Sequence, residues 1–334
     1  MTVLSGAGPL TALLEDPDVT DVLVNGVQVW VDRGAGLVRT AVTLGSGDEV
    51  RRLAQRLAAG CGRRLDDGSP YVDARLADGS RLHAVLPPIA TGGPYLSVRT
   101  FRLRTRPLSE LVPEHMAELL EAIVRARLSF LVAGGTGSGK TTLLNAMLAT
   151  VPPRERIVIV EDAAELSPAH PHVLGLQARP SNVEGAGAVT LGELVRQALR
   201  MRPDRLVIGE CRGGEVIDVL NALNTGHEGG GGTIHANSSA EVPVRLEALG
   251  LLGGVPVPAL RAQVAAAFQV VLHLRRSGSV RELDEACLLR RSGPGGVVIA
   301  WPAWSRQNGL GPAAGALSHM LAARGAVAPA WLLR

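Results

Sequence analysis

Lysine is almost missing from this 334-residue chain: of 34 Lys and Arg residues, one is lysine, Lys140. Aromatics are nearly as scarce, with 4 Trp, 2 Tyr and 3 Phe. That scarcity speaks against a platform on which single-stranded bases stack. Three cysteines, Cys61, Cys211 and Cys287, stand far apart with no C-x-x-C. Their spacing excludes a cysteine-rich zinc knuckle and a disulfide framework, and fits a reducing cytosol. No long apolar run occurs. The stretch 251–274 is broken by Pro256, Pro258, Arg261 and Gln263, too often to span a bilayer. The first residues carry no basic segment followed by an apolar core; Glu15, Asp16 and Asp18 come early, so no secretory signal is expected. The formal charge of +3 arises from arginines spread along the chain. It does not by itself argue for nucleic acid, which the reading disfavours as a partner without excluding it.

What is present is a chain of 46% hydrophobic residues, whose core is expected from Leu, Val and Ala. The lone lysine lies in Gly134-Gly135-Thr136-Gly137-Ser138-Gly139-Lys140-Thr141, which fits G-x-x-x-x-G-K-[ST]. Arginine replaces lysine on most surfaces. It does not easily replace a compact ammonium that must fit beside the β- and γ-phosphates inside a wrapped backbone. The flanks agree: the apolar run 129–133 reads as a buried parallel strand, and 142–148 has helical character. Strand, glycine loop and helix N-terminus aim backbone N–H groups at phosphate. A glycine-rich turn in a chain with 40 glycines is the alternative, and the lysine, Thr141 and the flanks choose against it. The expected nucleotide-binding residues are therefore Gly134, Gly135, Thr136, Gly137, Ser138, Gly139, Lys140, Thr141 and Thr142.

Two domains are expected, 1–106 and 107–334. The first reads as mixed α/β. A hairpin turns at Asn25-Gly26, an amphipathic helix covers 48–59, and two strands surround Ala77-Asp78-Gly79-Ser80. A strand-like, arginine-rich run follows over 95–104, and Arg106-Pro107 begins a linker. A helix over 114–126 opens the second domain, which alternates short apolar strands with helices and so predicts a mostly parallel sheet. Strand 156–160 ends at Glu161-Asp162, strand 205–208 at Gly209-Glu210, and strand 232–234 at His235. Ligands of open α/β sheets sit outside the carboxyl ends of strands, so Glu161, Glu210 and His235 would gather around a nucleotide held at Lys140.

Phosphoryl transfer to water needs charge neutralisation, a metal and an oriented nucleophile. Lys140 supplies a cation, and Thr141 with Glu210 would hold Mg²⁺. Glu210 suits the carboxylate role at the end of such a strand, although Gly209 stands where an aspartate is usual; a helix-capping carboxylate is the alternative. Glu161, Asp162 and Glu165 are either site carboxylates or a solvated acidic turn. His227 and His235 flank Gly229–Gly232, and each is a γ-phosphate reader or a packing and capping residue. The run 194–205 carries Arg196, Arg200, Arg202 and Arg205; Arg196 and Arg200, four apart, are a solvated face or arginine fingers. Residues 291–334 carry few signals, and Trp301-Pro302-Ala303-Trp304 is either a final strand edge or a docking surface.

Four boxes in order resemble the secretion-superfamily ATPases of type II and type IV secretion, pili and conjugation. They are the loop 134–141, an acidic box at 160–166, the segment 202–212 ending Gly209-Glu210-Cys211-Arg212, and a histidine box from Thr225 to Ser238. Residues 69–81 and 96–101 are similar to the N-terminal domain of the CpaF/TadA-type ATPases of Tad/Flp pilus systems. The resemblance covers about residues 10–290. It implies an α/β fold, a RecA-like P-loop NTPase motor domain preceded by a smaller mixed α/β domain. It further implies a homo-hexamer with Mg²⁺ and ATP between subunits, approached by Arg99, Arg102 and Arg104 from the N-terminal domain. The expected activity is ATP hydrolysis driving pilus assembly or secretion. The alternatives are a DNA-transfer coupling ATPase and a nucleotide-gated scaffold with negligible turnover. The expected location is cytoplasmic, recruited to the membrane by a polytopic inner-membrane pilus or secretion platform protein. Departures are the cysteine-rich zinc motif and an extra N-terminal helical region, both missing, Cys211 at an often aliphatic position, and four glycines at 229–232, expected to loosen their loop.

Overall fold

A computed structural model describes residues 6–100, 106–179, 181, 186–278, 280–293 and 295–333. The chain divides into two compact units, Met1–Arg104 and Thr105–Arg334.

In the first unit, strands β1 (Asp21–Asn25), β2 (Gln28–Asp32), β3 (Leu37–Thr43), β4 (Tyr71–Arg75), β5 (Arg81–Val85) and β6 (Tyr95–Arg99) form an antiparallel sheet in the order β3-β2-β1-β6-β5-β4. Alternate residues of β1, β4, β5 and β6 are buried, the period-2 pattern of a sheet with one face on the core. That face packs with the helix Gly47–Gly60, which buries Val50, Leu53, Ala54, Leu57 and Ala58. Its first turn is closed by Ser46, whose hydroxyl accepts from the Glu49 amide, while Glu49 accepts from the Gly45 amide. β6 ends at Arg99; residues 101–104 of the arginine-rich run, including Arg102 and Arg104, lie outside the described residues.

The second unit holds β7 (Phe130–Gly134), β8 (Ile157–Glu161), β9 (Val173–Gln177), β10 (Arg205–Cys211), β11 (Gly231–Ile234), β12 (Val270–Ser277), β13 (Val280–Ser292), β14 (Val297–Ser305) and β15 (Gly309–Leu310). The sheet order is β15-β14-β13-β12-β7-β11-β10-β8-β9. The strands from β12 to β9 run parallel and the remaining three are antiparallel. Every residue of β7 and β8 is buried, as expected for strands covered on both faces. One face packs helices Glu114–Arg125, Lys140–Leu148 and Ala314–Ala323; the other packs Leu191–Ala198, Val216–Asn224, Val242–Leu252 and Val257–Ala267. Each fully buried Leu, Ile or Val here contributes roughly 1.5–3 kcal/mol. The stretch 251–274 divides between helix, loop and β12, and no helix among the described residues is long and apolar enough to cross a membrane. The Trp301–Trp304 segment lies in β14, where both tryptophans pack against the core and Arg290 stacks 3.8 Å over the Trp301 ring.

Two expectations are corrected here, and the burial of one arginine is added. The glycine run does not loosen a loop. Gly231 and Gly232 are inside β11, between β7 and β10. A Cβ on Gly230 would meet the Leu206 carbonyl at 2.6 Å, one on Gly231 the Phe130 ring at 3.0 Å, and one on Gly232 the Ile208 carbonyl at 3.0 Å. Close approach of neighbouring strands, not mobility, requires these glycines. Arg196 and Arg200 do not share an α-helix, because it ends at Ala198 and a 3-10 turn, Leu199–Met201, carries Arg200. Arg202 then sits at φ 54°, ahead of Pro203, which disfavours α geometry in the residue before it. Arg205, which opens the expected strand 205–208, is 1% exposed, pairs with Glu155 at 2.5 Å, and donates to the carbonyls of Gly229 and Val124.

Candidate nucleotide-binding site

The loop 134–139 joins β7 to the helix Lys140–Leu148. Gly139 caps that helix in the left-handed region at φ 93°, where a side chain would be strained. The Lys140 ammonium donates to the carbonyl oxygens of Gly134 and Gly135, each at 2.9 Å. Burial pushes its pKa below the usual lysine value, with Glu210 and Glu165 opposing that shift and Arg212 adding to it. Ser138 Oγ is buried within the loop and has no hydrogen-bond partner among the described residues.

β10 runs to Cys211, longer than the expected 205–208, and its pairing with β11 shifts register between Ile208 and Cys211. The shift takes Gly209 out of the ladder, and the Thr233 hydroxyl satisfies its carbonyl at 2.6 Å. Glu210 follows. Its Oε1 lies 3.0 Å from His235 Nε2 and its Oε2 accepts from Arg212 Nη2 at 2.6 Å. Burial, then the nearby Lys140 charge, hold the His235 pKa below the ordinary histidine value while Glu210 pulls the other way. Neutral His235 therefore donates Nε2–H to Glu210. The bond to Glu210 raises the Arg212 pKa, helped by Asp162 and Glu165. Arg212 was not anticipated as a site residue; its place two residues after Glu210 was the available signal.

Glu161 is 4% exposed, and its Oε1 accepts from the amides of Glu165 and Leu166 at 2.9 and 3.0 Å. A Cβ on Gly209 would stand 2.6 Å from Glu161 Cγ. The glycine in place of an aspartate thus makes room for the carboxylate of the neighbouring strand. Glu161 organises the acidic turn, and Glu165 comes within the field of Lys140.

His227 does not join this group within the chain. It precedes β11, at the amino ends of the parallel strands, whereas Lys140, Glu210 and His235 lie at the carboxyl ends. Its Nδ1–H donates to the Ala222 carbonyl at 3.3 Å, a cap on the helix Val216–Asn224. Arg196 pairs with Asp218 at 2.9 Å. Arg200 stands in the turn leading to the amino end of β10. Arg99 belongs to the first unit, where it pairs with Asp21 at 3.1 Å.

A phosphate-type loop with a carboxylate and a histidine on adjacent strands does not by itself name a family, which rests on the chain as a whole. The profile of type II/IV secretion system proteins matches residues 3–300. This chain belongs to that family. A Mycobacterium tuberculosis (strain H37Rv) protein provisionally named for conjugal transfer is 54% identical over 336 residues, covering 97% of this chain and 95% of the relative. The type IV secretion system protein PtlH of Bordetella pertussis is 35% identical over 299 residues, covering 79% and 87%. The pilus retraction motor PilT, solved with ADP, aligns with 88% of this secretion-family chain and 80% of its own, at TM-score 0.59 and 19% identity. That likeness is one of fold: a RecA-like domain preceded by a smaller α/β domain.

Proposed function

We propose that this type II/IV secretion family member hydrolyses ATP and converts the energy into work on a pilus or secretion machine of the cell envelope. The observation that carries the reading is the convergence of Lys140, Glu210 and His235 at the carboxyl ends of β7, β10 and β11. In the proposed reaction the loop amides and Lys140 bind the β- and γ-phosphates, the ammonium exchanging loop carbonyls for phosphate oxygens. The orphan Ser138 hydroxyl fits an anion in the loop. Glu210, held from both sides by His235 and Arg212, orients the attacking water and takes its proton. His235 reports the γ-phosphate to Glu210 through their shared bond. Glu161 and Glu165 keep the acidic turn in place beside it.

One hydroxyl, Thr141, and one carboxylate, Glu210, suit Mg²⁺, which keeps several waters and takes phosphate oxygens rather than an all-protein cage. Mg²⁺ carried in with ATP would neutralise charge developing on the phosphates. The working form is proposed to be a homo-hexamer whose neighbours complete each site with arginines from Arg99, Arg102, Arg104, Arg196 or Arg200, and whose His227 serves the subunit boundary. A polytopic inner-membrane platform protein would recruit it from the cytoplasm. Hydrolysis rising steeply with protein concentration is the expected result. Constant specific activity down to concentrations where light scattering shows only monomers contradicts the shared site. A DNA-transfer role is the second reading, favoured by a close relative named for conjugal transfer. Retention on DNA with a steep salt slope would support it. A scaffold that binds ATP without turning it over would show itself as negligible steady-state release of phosphate.

A further inference from the structure

We propose that Arg276 and Arg281, facing each other near the tip of the β12–β13 hairpin, bind the nucleoside end of the nucleotide, its α-phosphate and ribose, from within the same subunit. The inference rests on the reading of loop 134–141 as a nucleotide site. β12 pairs beside β7, with Leu274 opposite Gly134, and continues for three residues beyond that pair. The hairpin tip therefore lies along the phosphate loop. Arg281 Nε donates to the Gly137 carbonyl at 2.9 Å. Its Cδ is 3.3 Å from the place a Cβ on Gly139 would take, and Arg276 Nη1 is 2.9 Å from the corresponding place on Gly137. Two glycines of the loop thus admit two guanidinium side chains.

The charges are arranged at a cost. Arg276 and Arg281 are directly opposite in the antiparallel ladder, and like charges so placed repel. Neither has a carboxylate partner among the described residues. Arg276 Nε donates to the Gly278 carbonyl instead. The adjacent arginine is neutralised: Arg275 lies 3.5 Å from Asp284. On the same hairpin Glu282 is taken by Arg306 at 2.8 Å. An uncompensated cationic pair beside an anion-binding loop calls for an anion.

Sheet order says which part of the ligand reaches it. Glu210 and His235 lie on β10 and at the end of β11, to one side of β7; β12 lies on the other side. A nucleotide with its terminal phosphate at Glu210 and His235 and its β-phosphate in the loop extends its α-phosphate and ribose toward β12. Guanidinium forks suit both phosphate oxygens and ribose hydroxyls. Inorganic pyrophosphate fills the β and γ positions but offers the hairpin neither an α-phosphate nor a nucleoside.

The test compares equilibrium binding of Mg²⁺-loaded ATP, ADP and inorganic pyrophosphate to the full chain and to Arg276→Gln, Arg281→Gln and the double variant. Circular dichroism checks that each is folded, and the single variants decide the matter should the double fail to fold. Weakening of ATP and ADP by about tenfold to a hundredfold is expected, with pyrophosphate changed by less than about threefold. Equal weakening of all three ligands would reduce the arginines to props for the loop and overturn the proposal, as would unchanged affinity for ADP. Lys140→Ala, by contrast, is expected to weaken all three. A wild-type chain that binds none of them refutes the nucleotide site itself, and a wild-type chain that binds them with unaltered affinity in the hairpin variants refutes only the hairpin's role.

Discussion

Replacing Gly209 with alanine adds one methyl group at the point where β8 and β10 are closest around Glu161. The new Cβ would stand 2.6 Å from Glu161 Cγ and 3.0 Å from Oε1. Glu161 is buried and its Oε1 holds the amides of Glu165 and Leu166. Two responses are open. If Glu161 stays, the overpacking costs about 1–3 kcal/mol. If it moves, two hydrogen bonds to a charged acceptor, each worth about 1.5–3 kcal/mol, are weakened or lost. The cheaper response sets the outcome, so Gly209→Ala should destabilise the second unit by about 1–3 kcal/mol, lowering its melting temperature by roughly 2–12 °C. Thermal and urea unfolding followed by circular dichroism measure this. The decisive comparison repeats the change in a Glu161→Ala background, where the space is free and the added methyl should cost less than about 0.5 kcal/mol. A Gly209→Ala protein as stable as wild type, or an equal cost in both backgrounds, would refute the argument that the glycine exists to admit Glu161.

Glu210→Gln keeps the bonds' geometry while removing the charge, so it should bind MgATP and turn it over at least about a hundredfold more slowly in a single-turnover experiment; if Glu161→Gln is the more damaging change, the two carboxylates have exchanged roles. Arg205→Ala strips a buried cation from Glu155 and two carbonyls, and urea denaturation should register a loss of about 3–5 kcal/mol. For His235 the folded pKa lies below the ordinary value of 6.5. As pH falls through 6.5 the unfolded chain takes up a proton before the folded one does, so stability declines from there down to the folded pKa and the loss is constant below it. His235→Asn should flatten that part of the stability–pH curve, and an unchanged curve would contradict the depressed pKa.

The turn at 134–141 was legible in the sequence because its requirements are local: glycines where the backbone turns tightly, one ammonium, one hydroxyl, then a helix. Glu210 and His235 were legible through their places at strand ends. What the sequence did not disclose depends on contacts between distant segments. A run of glycines reads as slack unless the strands on either side are known; Phe130, Leu206 and Ile208 are what make Gly230 to Gly232 obligatory. His227 and His235 flank the same run, yet the strand between them carries them to opposite edges of the sheet. A strand starting at Arg205 was legible, but the groups that satisfy its buried charge, Glu155 and the carbonyls of Gly229 and Val124, come from distant segments. Arg212 escaped notice because nothing in its type distinguished it. Arg276 and Arg281 belong to no motif at all; a hairpin more than 130 residues from the loop brings them to it.

Binding and hydrolysis of MgATP by the purified chain, compared with its Lys140→Ala variant, test the central claim most directly. The lysine is the only one in the chain, and it is buried in the loop at the helix N-terminus. The account predicts that wild type binds and hydrolyses MgATP, and that Lys140→Ala folds with unchanged secondary structure but loses hydrolysis and most of its nucleotide affinity. Wild-type turnover by a folded Lys140→Ala protein, free of contaminating ATPase, would contradict it.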